Sequence, residues 1–464
     1  MIQQSEATKL LSLPTELLTE VMKNMTWKSV MRARKTCRRL QDVSKSLAVW
    51  RHLVRQEPRF SLCLEQPIEA YSSDELEYFL LRRKKTEVGY ERAANGSGFE
   101  LRRRILPVST NSTYDCARLV PGGRWLLIST RHGSVKYYDL STQDPTGRLL
   151  IPKRYIRSTS WMCVDVDMNS PTLRFNLALT NLDRNCDWGG CINFQRRFEI
   201  WEVSLVVDES GRGVGLSAGH KAQSSFLQEP KGNVYSVFLV GDYLSYEVMG
   251  QQERCVFFVQ WKDIRESSYP KRMVTVPSMN AYILLNDHVC TINGSFISLV
   301  SLSALTEFTT VPPLRPTTSY TPLATIKLPE SIYEDGVSNP MIYQDSQHFV
   351  AYLGCDFYEI VVSDSDASPG PQFDAIRVGR LPHRSWVGNC TISLSDGFCL
   401  AWLNRGGMLL QRFPGLKSSP GHQALLQVEG LNQFCLSLNV LDMASGQVIT
   451  QQPSHIVIST FHLS

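Results

Sequence analysis

The feature that most constrains this chain is a change of period near residue 105. Before it, apolar residues recur at spacings of three and four, the repeat of an amphipathic helix. After it they come in short runs broken by turn residues, the pattern of strands joined by tight connections. The expected fold class is α+β multidomain, a small all-α segment followed by an all-β domain, and 464 residues suffice for more than one core. The expected division is 8–56 for a helical domain, 57–104 for a helical linker and 105–464 for the β domain. With 43% hydrophobic and 20% charged residues the chain is neither disordered nor collagenous. No basic start with an apolar run stands at the N-terminus, and no stretch nears the roughly 18 apolar residues of a membrane helix. A soluble, cytoplasmic or nuclear protein without membrane contact is expected.

The N-terminal segment reads as a module that captures a partner. Pro14 suits the opening of a helix because its missing N–H is among the donors left free there, and Glu16 then meets the positive end of the helix dipole. Leu17, Leu18, Val21, Met22 and Met25 form one broad apolar face. Thr26 is a cap candidate for a second helix, and Val30, Ala33, Cys37, Leu40, Val43, Leu47, Trp50, Leu53 and Val54 continue the spacing. About fifty residues can bury only a modest core, so several large apolar groups are left for a partner.

Pro14, the Leu17-Leu18 pair, Cys37-Arg38 and Trp50-Arg51, in that order, resemble the F-box, over about residues 8 to 56. Met22 and Met25 stand where isoleucine or leucine is commoner, and Leu40 where tryptophan often follows Cys-Arg. The resemblance implies docking on a Skp-type adaptor and, through it, on a cullin. It assigns adaptor binding to Leu13, Pro14, Leu17, Leu18, Val21 and Met22, supported by Val30, Leu40 and Trp50.

Charge is concentrated at the same end. Residues 1–105 hold 20 Lys+Arg against 13 Asp+Glu, and the remainder 28 against 31. A basic helix-turn-helix on nucleic acid is the rival reading, but no Gly turn precedes a helix with polar tips set out to read base edges. A solvated basic face, or one that meets an acidic partner, accounts for the run, and no nucleic acid is expected. Ser72 with Glu75 has capping-box spacing, and Leu76, Phe79 and Leu80 give a short helical stripe expected to end at Arg82–Lys85. The polar stretch from Ala93 to Gly98 follows, and the domain boundary is expected near Arg104.

In the β part, Ala117–Val120, Arg124–Ser129 and Ser134–Leu140, with turns at Pro121-Gly122-Gly123 and Arg131-His132-Gly133, read as a three-strand meander. Val135–Leu140 is echoed by Phe198–Val203, Val256–Trp261, Ile297–Leu302 and Met408–Phe413. Aromatic-bearing strands recurring every 40 to 60 residues suit propeller blades. The unit Leu119–Leu140 resembles a blade of a degenerate WD-repeat-like propeller, as in many F-box proteins, fungal ones included. That resemblance implies a surface for a protein substrate. The blade number, six, seven or eight, stays open, and paired β-sandwiches are the alternative. The segments Thr180–Cys191 and Ser363–Gln372 are expected to be loops and candidate contact regions.

Twelve cysteines without a C-x-x-C pair read as reduced thiols, and Cys186, Cys191 and His220 fit no zinc spacing. Gly215-Leu216-Ser217-Ala218-Gly219 matches the G-x-S-x-G elbow of serine hydrolases, yet no apolar strand and following helix flank it. A hairpin or blade loop is expected there, with a Ser217 hydrolase as the remote alternative. No catalytic residue, cofactor or metal is expected. The reading is a non-catalytic substrate receptor of a Skp/cullin/F-box ubiquitin ligase, or an F-box protein that holds its adaptor outside ubiquitination.

Overall fold

The structure is a computed structural model. It describes residues 11–57, 64–94, 100–107, 114–130, 133–152, 160–186, 192–225, 233–249, 254–264, 269–276, 281–284, 287–293, 296–308, 321–328, 334–337, 341–343, 346–353, 356–363, 371–380, 392–395, 398–403, 407–412, 423–427, 439–442, 446–451 and 455–462. Helix α1 spans Thr15–Lys23, with Pro14 at its N-cap and Glu16 in its first turn. Helix α2, Trp27–Arg34, is capped by Thr26, whose hydroxyl accepts from the Ser29 N–H at 3.3 Å. Helices α3 (Arg38–Ser44) and α4 (Leu47–Gln56) complete the first group.

Helix α5, Ser73–Ala94, opens on a reciprocal capping box. The Ser72 N–H donates to Glu75 Oε2 at 2.8 Å and the Glu75 N–H to Ser72 Oγ at 3.3 Å, which satisfies two otherwise free amide donors. The helix does not stop at Arg82–Lys85. That basic run lies in mid-helix, where Arg83 pairs with Glu87 (3.1 Å) and Lys84 with Glu57 (2.7 Å) and Glu87 (3.1 Å). Tyr90, ten residues beyond Leu80 on the same helix, is buried as well. Leu76, Leu80 and Tyr71 share one core with Leu18, Val30, Val43, Trp50 and Leu53. The segment read as a linker thus supplies part of the helical core.

Among the described residues the strands form seven antiparallel sheets, spanning 114–151, 160–225, 233–276, 281–327, 334–380, 392–427 and 439–462. The third gains a fifth strand, Glu307–Phe308. Tyr114–Leu119 touches Ser160–Val166, which touches Asn233–Val240, which in turn touches Ala281–Leu284. Ala324–Lys327 meets Gln372–Arg380, Ser346–Leu353 meets Ile392–Ser395, and Ile392–Ser395 meets Asn439–Asp442, which returns to Tyr114–Leu119. Each sheet therefore contacts the next and the seventh contacts the first, which makes a seven-bladed propeller.

The ring is closed by the strand Glu100–Pro107, which contains Arg104 and becomes the fourth strand of the last blade. It runs antiparallel to His455–His462, from Glu100↔His462 to Pro107↔His455. Cores lie between blades, as expected when a blade hides its faces only against its neighbours. Ala178, Phe198 and Ile200 of the second blade pack with Tyr246 and Phe257 of the third, and Val256 and Phe258 of the third with Val289 and Val300 of the fourth. Gly122 (φ 100°) and Gly123 (φ 73°) form the first hairpin turn in a backbone region that side chains disfavour.

Candidate functional site

The first turns of α1 divide the leucine-rich stripe in two. Leu18 and Met22 are 1% and 2% exposed and sit in the helical core, whereas Leu17 and Val21 are 50% and 44% exposed. Residues one position apart lie about 100° apart on a helix, so a stripe this wide meets the core along one edge and water along the other. Of the residues assigned to adaptor binding, Leu18 and Met22 therefore sit in the core of this structure, while Leu17 and Val21 face outward. Pro14 is exposed, and Leu13 and Leu40 are half-buried. Val30 and Trp50 are fully buried, Trp50 donating from Nε1 to the Ser44 carbonyl at 2.8 Å.

Two arginines that the sequence reading did not single out shape this surface. Arg39 Nη2 donates to the Leu13 carbonyl at 2.6 Å, and its Nη1 to that of Leu11, which ties the segment ahead of α1 to α3. Arg34 grips Glu77 of α5 at 2.5 and 2.7 Å and Ser44 Oγ at 2.8 Å, with its guanidinium 5.7 Å from the centre of the Trp50 ring. The sequence signal was Arg39 beside the Cys37-Arg38 pair; Arg34 carried none, because its partner lies 43 positions away. Lys28, Arg32, Lys35 and Arg38 stay exposed, so the module presents apolar groups beside cations.

The helical part is fastened to the propeller. Arg124, just after the first hairpin turn, donates to Glu65 Oε2 (2.7 Å), to both oxygens of Asp139 (3.1 and 2.8 Å) and to the Gly213 carbonyl (2.7 Å). Burial pushes the Glu65 carboxyl up despite Arg124 beside it. Burial also opposes ionisation of Asp139, but hydrogen bonds from Arg124 and Ser141 hold that carboxyl below its ordinary range. The Leu173 N–H donates to the Glu65 carbonyl at 2.7 Å, and the Tyr71 hydroxyl accepts from the amides of Glu65 and Gln66 at 3.0 and 3.2 Å. With its amide turned so that both groups are matched, Gln447 of the last blade accepts from Arg82 of α5 at 3.1 Å and donates to the Gly123 carbonyl at 2.8 Å.

Ser217 does not occupy a nucleophile elbow. It lies within the strand Gly213–Ser225, opposite Ser204, their hydroxyls 3.2 Å apart. An elbow needs a strained turn between strand and helix. The expected loop at 215–219 is likewise corrected to a strand. The expected loop at 180–191 is strand over 180–186, part of Arg174–Cys186, while 187–191 lie outside the described residues. Ser363 and Gln372 flank 364–370, which lie outside them too. Cys191 is outside as well, and His220 stacks edge-on against Trp201 with centroids 5.0 Å apart. Among the described residues no group of three or more His, Cys, Asp or Glu is placed to hold a metal, and no helix is long and apolar enough to cross a membrane.

Residues 10–52 match the model of the F-box domain. Among solved structures, the chain is similar to the β-propeller domain of Myceliophteria thermophila Cps50 (Swd1), at 10% identity and TM-score 0.46, over 77% of this chain and 99% of that one. It is also similar to the WD40 domain of SCAP from fission yeast, at 9% identity and TM-score 0.39, over 78% and 94%. No curated protein matches the chain. A segment that matches the F-box domain model thus precedes a seven-bladed propeller, whose blade count and closure stand on its own strand pairing.

Proposed function

We propose that this protein is the substrate receptor of a Skp/cullin/F-box ubiquitin ligase. The observation that carries the proposal is the split of α1, in which Leu18 and Met22 fill the core while Leu17 and Val21 stand in water within the segment that matches the F-box. Covering a large apolar side chain contributes about 1.5 to 3 kcal/mol. Leu17 and Val21, with Leu11, Leu13, Pro14 and the flank of Leu40, supply enough apolar surface to offset part of the ordering losses of association. The exposed cations around them favour an acidic adaptor face. Val30 and Trp50 act from inside by holding α1 in place.

The propeller then holds a target protein, and the clasp at Glu65 and Arg124 keeps that target at a fixed offset from the adaptor. The mechanism is proximity, in which raised effective concentration and orientation serve chemistry performed by a ubiquitin-loaded enzyme elsewhere. Leu17→Asp with Val21→Asp is expected to abolish co-purification with a Skp-type adaptor while leaving the circular dichroism and melting profile unchanged. Retained capture would refute the reading. Capture of adaptor without cullin would move the protein to the second class, an F-box complex acting outside ubiquitination.

A further inference from the structure

The fifth blade holds a hydrogen-bonded chain of three side chains remote in sequence from the helical module and from Ser217. Ser346 and His348 lie two positions apart on the strand Ser346–Leu353, and Glu359 lies on the neighbouring strand Asp356–Ser363. The Ser346 hydroxyl stands 2.8 Å from Nε2 of His348, and Nδ1 of the same ring stands 2.9 Å from Glu359 Oε1.

The register explains why the three meet. Directly opposed residues of an antiparallel pair share a face, as do residues two apart on one strand. Ser346 opposes Ser363, His348 opposes Val361 and Val350 opposes Glu359, so the serine, the histidine and the glutamate share one face, with Glu359 the diagonal neighbour of His348. The other face carries Phe349, Ile360 and Val362, which belong to the apolar core shared with the fourth blade.

The order of the chain fixes its polarity. A carboxylate only accepts, so the Glu359 contact places the ring proton on Nδ1 and leaves Nε2 of the neutral imidazole as an acceptor. The Ser346 O–H then donates to Nε2. In that arrangement histidine can take the hydroxyl proton as general base while the carboxylate stabilises the imidazolium that forms, a constellation defined by geometry and not by chain position. His348 is 9% exposed and Ser346 half-buried, so the base is shielded while the serine keeps part of its surface in water. On the same face Glu359 and exposed Asp374, which opposes Val361, disfavour anionic substrates, and half-buried Val361 offers an aliphatic neighbour. Ser346 pairs on both sides, with Tyr343 and with Ser363, which engages neighbouring amides in the sheet and withholds them from an oxyanion. Acyl transfer to this serine is therefore slow and is read as a stoichiometric event.

We propose that Ser346 is a nucleophile that takes the acyl group of neutral short-chain esters, with His348 as its general base and Glu359 as a positioning residue. Ser346 Oγ bonds to the ester carbonyl carbon as its proton passes to Nε2. The bond to the leaving oxygen then breaks, and that oxygen departs with the proton from Nε2, which leaves acyl-serine and an alcohol. None of this depends on the receptor reading. The test mixes the full-length chain with p-nitrophenyl butyrate and follows nitrophenol release. A burst of about one equivalent per chain is expected, with butyryl found on Ser346 by peptide mass spectrometry and a rate that rises between about pH 5 and 8 as imidazole loses its proton. Ser346→Ala should abolish the burst, and His348→Gln should slow it at least about a hundredfold. Glu359→Gln should slow it and displace its pH profile, which loss of a merely structural contact would not do. Ser217→Ala should leave it unchanged. Circular dichroism melts identify any variant that fails to fold, and the wild-type adduct and pH profile then decide alone. No burst in the wild type, butyryl only on other residues, a rate indifferent to pH, or a burst that survives Ser346→Ala would overturn the proposal.

Discussion

Arg124 and Glu65 meet at 2.7 Å across the junction of helices and propeller, with the Glu65 side chain almost withdrawn from water. The same guanidinium holds Asp139 at 2.8 Å, so one cation serves two carboxylates from different parts of the fold. Removing the cation leaves both carboxylates uncompensated, whereas removing one carboxylate leaves the other in place. Arg124→Ala is expected to cost about 2 kcal/mol, and Glu65→Gln less. Arg124→Lys keeps the charge but loses the fork, and should fall between them. Thermal melts give the order, and limited proteolysis should show faster cleavage around 64–71 in Arg124→Ala alone. Equal melting of wild type and Arg124→Ala would mean that the clasp is incidental.

Neighbouring residues of α1 should respond oppositely to the same change. Leu17→Asp lies in water and is expected to shift stability by less than about 0.5 kcal/mol, whereas Leu18→Asp puts a charge in the core of the helical group and should unfold it. Trp50→Ala belongs with Leu18→Asp, at about 3–5 kcal/mol, because it empties the centre of that core and removes the indole's hydrogen bond to the Ser44 carbonyl and the ring beside Arg34. Urea titration followed by far-ultraviolet circular dichroism resolves the difference. If Leu17→Asp and Leu18→Asp lose stability alike, the division of the stripe is wrong.

Local signals were legible in the sequence because their partners lie within one turn. The Pro14 start, the Thr26 cap and the Ser72–Glu75 box all appear in the structure. So do the strand echoes: Val135, Phe198, Val256, Ile297 and Met408 all belong to the third strand of their blades, an inner strand with a neighbour on each side. What depended on distant partners was not legible. Periodicity marks the stripe of α1 but cannot say which edge meets α3 and α4. The basic run at Arg82–Lys85 resembles a helix end until Glu57 and Glu87 are placed beside it. Ring closure joins Glu100 to His462, and nothing within Glu100–Pro107 announces that pairing. Gly215 resembled a loop residue, yet a Cβ there would lie 2.7 Å from Tyr137 Oη, so the glycine serves close packing within a strand.

A second glycine controls how α5 rests on the last blade. Gly446 has φ 67°, and a Cβ there would lie 2.7 Å from Cγ2 of Thr86, which is buried on α5. Gly446→Ala combines a left-handed backbone with a clash, and is expected to cost about 1–2 kcal/mol from the backbone alone. Thr86→Ala removes the nearest atoms and should restore part of the loss, so the double variant is predicted to be more stable than the sum of the singles allows. Differential scanning calorimetry of the four proteins measures that coupling. Strict additivity would show that the contact does not matter.

Asp165 gives the propeller a pH dependence of stated sign. Its carboxyl is pushed up to about 6, first by burial and further by Asp167 and Asp242, while the Gly241 N–H, donating at 2.8 Å, favours the ionised form. Between the ordinary carboxylate value of 3.8 and about 6, the unfolded chain gives up this proton while the folded chain retains it. Stability from this group is therefore full at the acid end, declines as pH rises through the window, and is lowest above it. Asp165→Asn preserves an acceptor for the Gly241 amide and has no proton to lose. The variant should melt like wild type near pH 4 and above wild type near pH 7.5, the gap opening between those values. A difference between the two proteins that does not change over that range would show that Asp165 ionises in the folded chain as it does in the unfolded one.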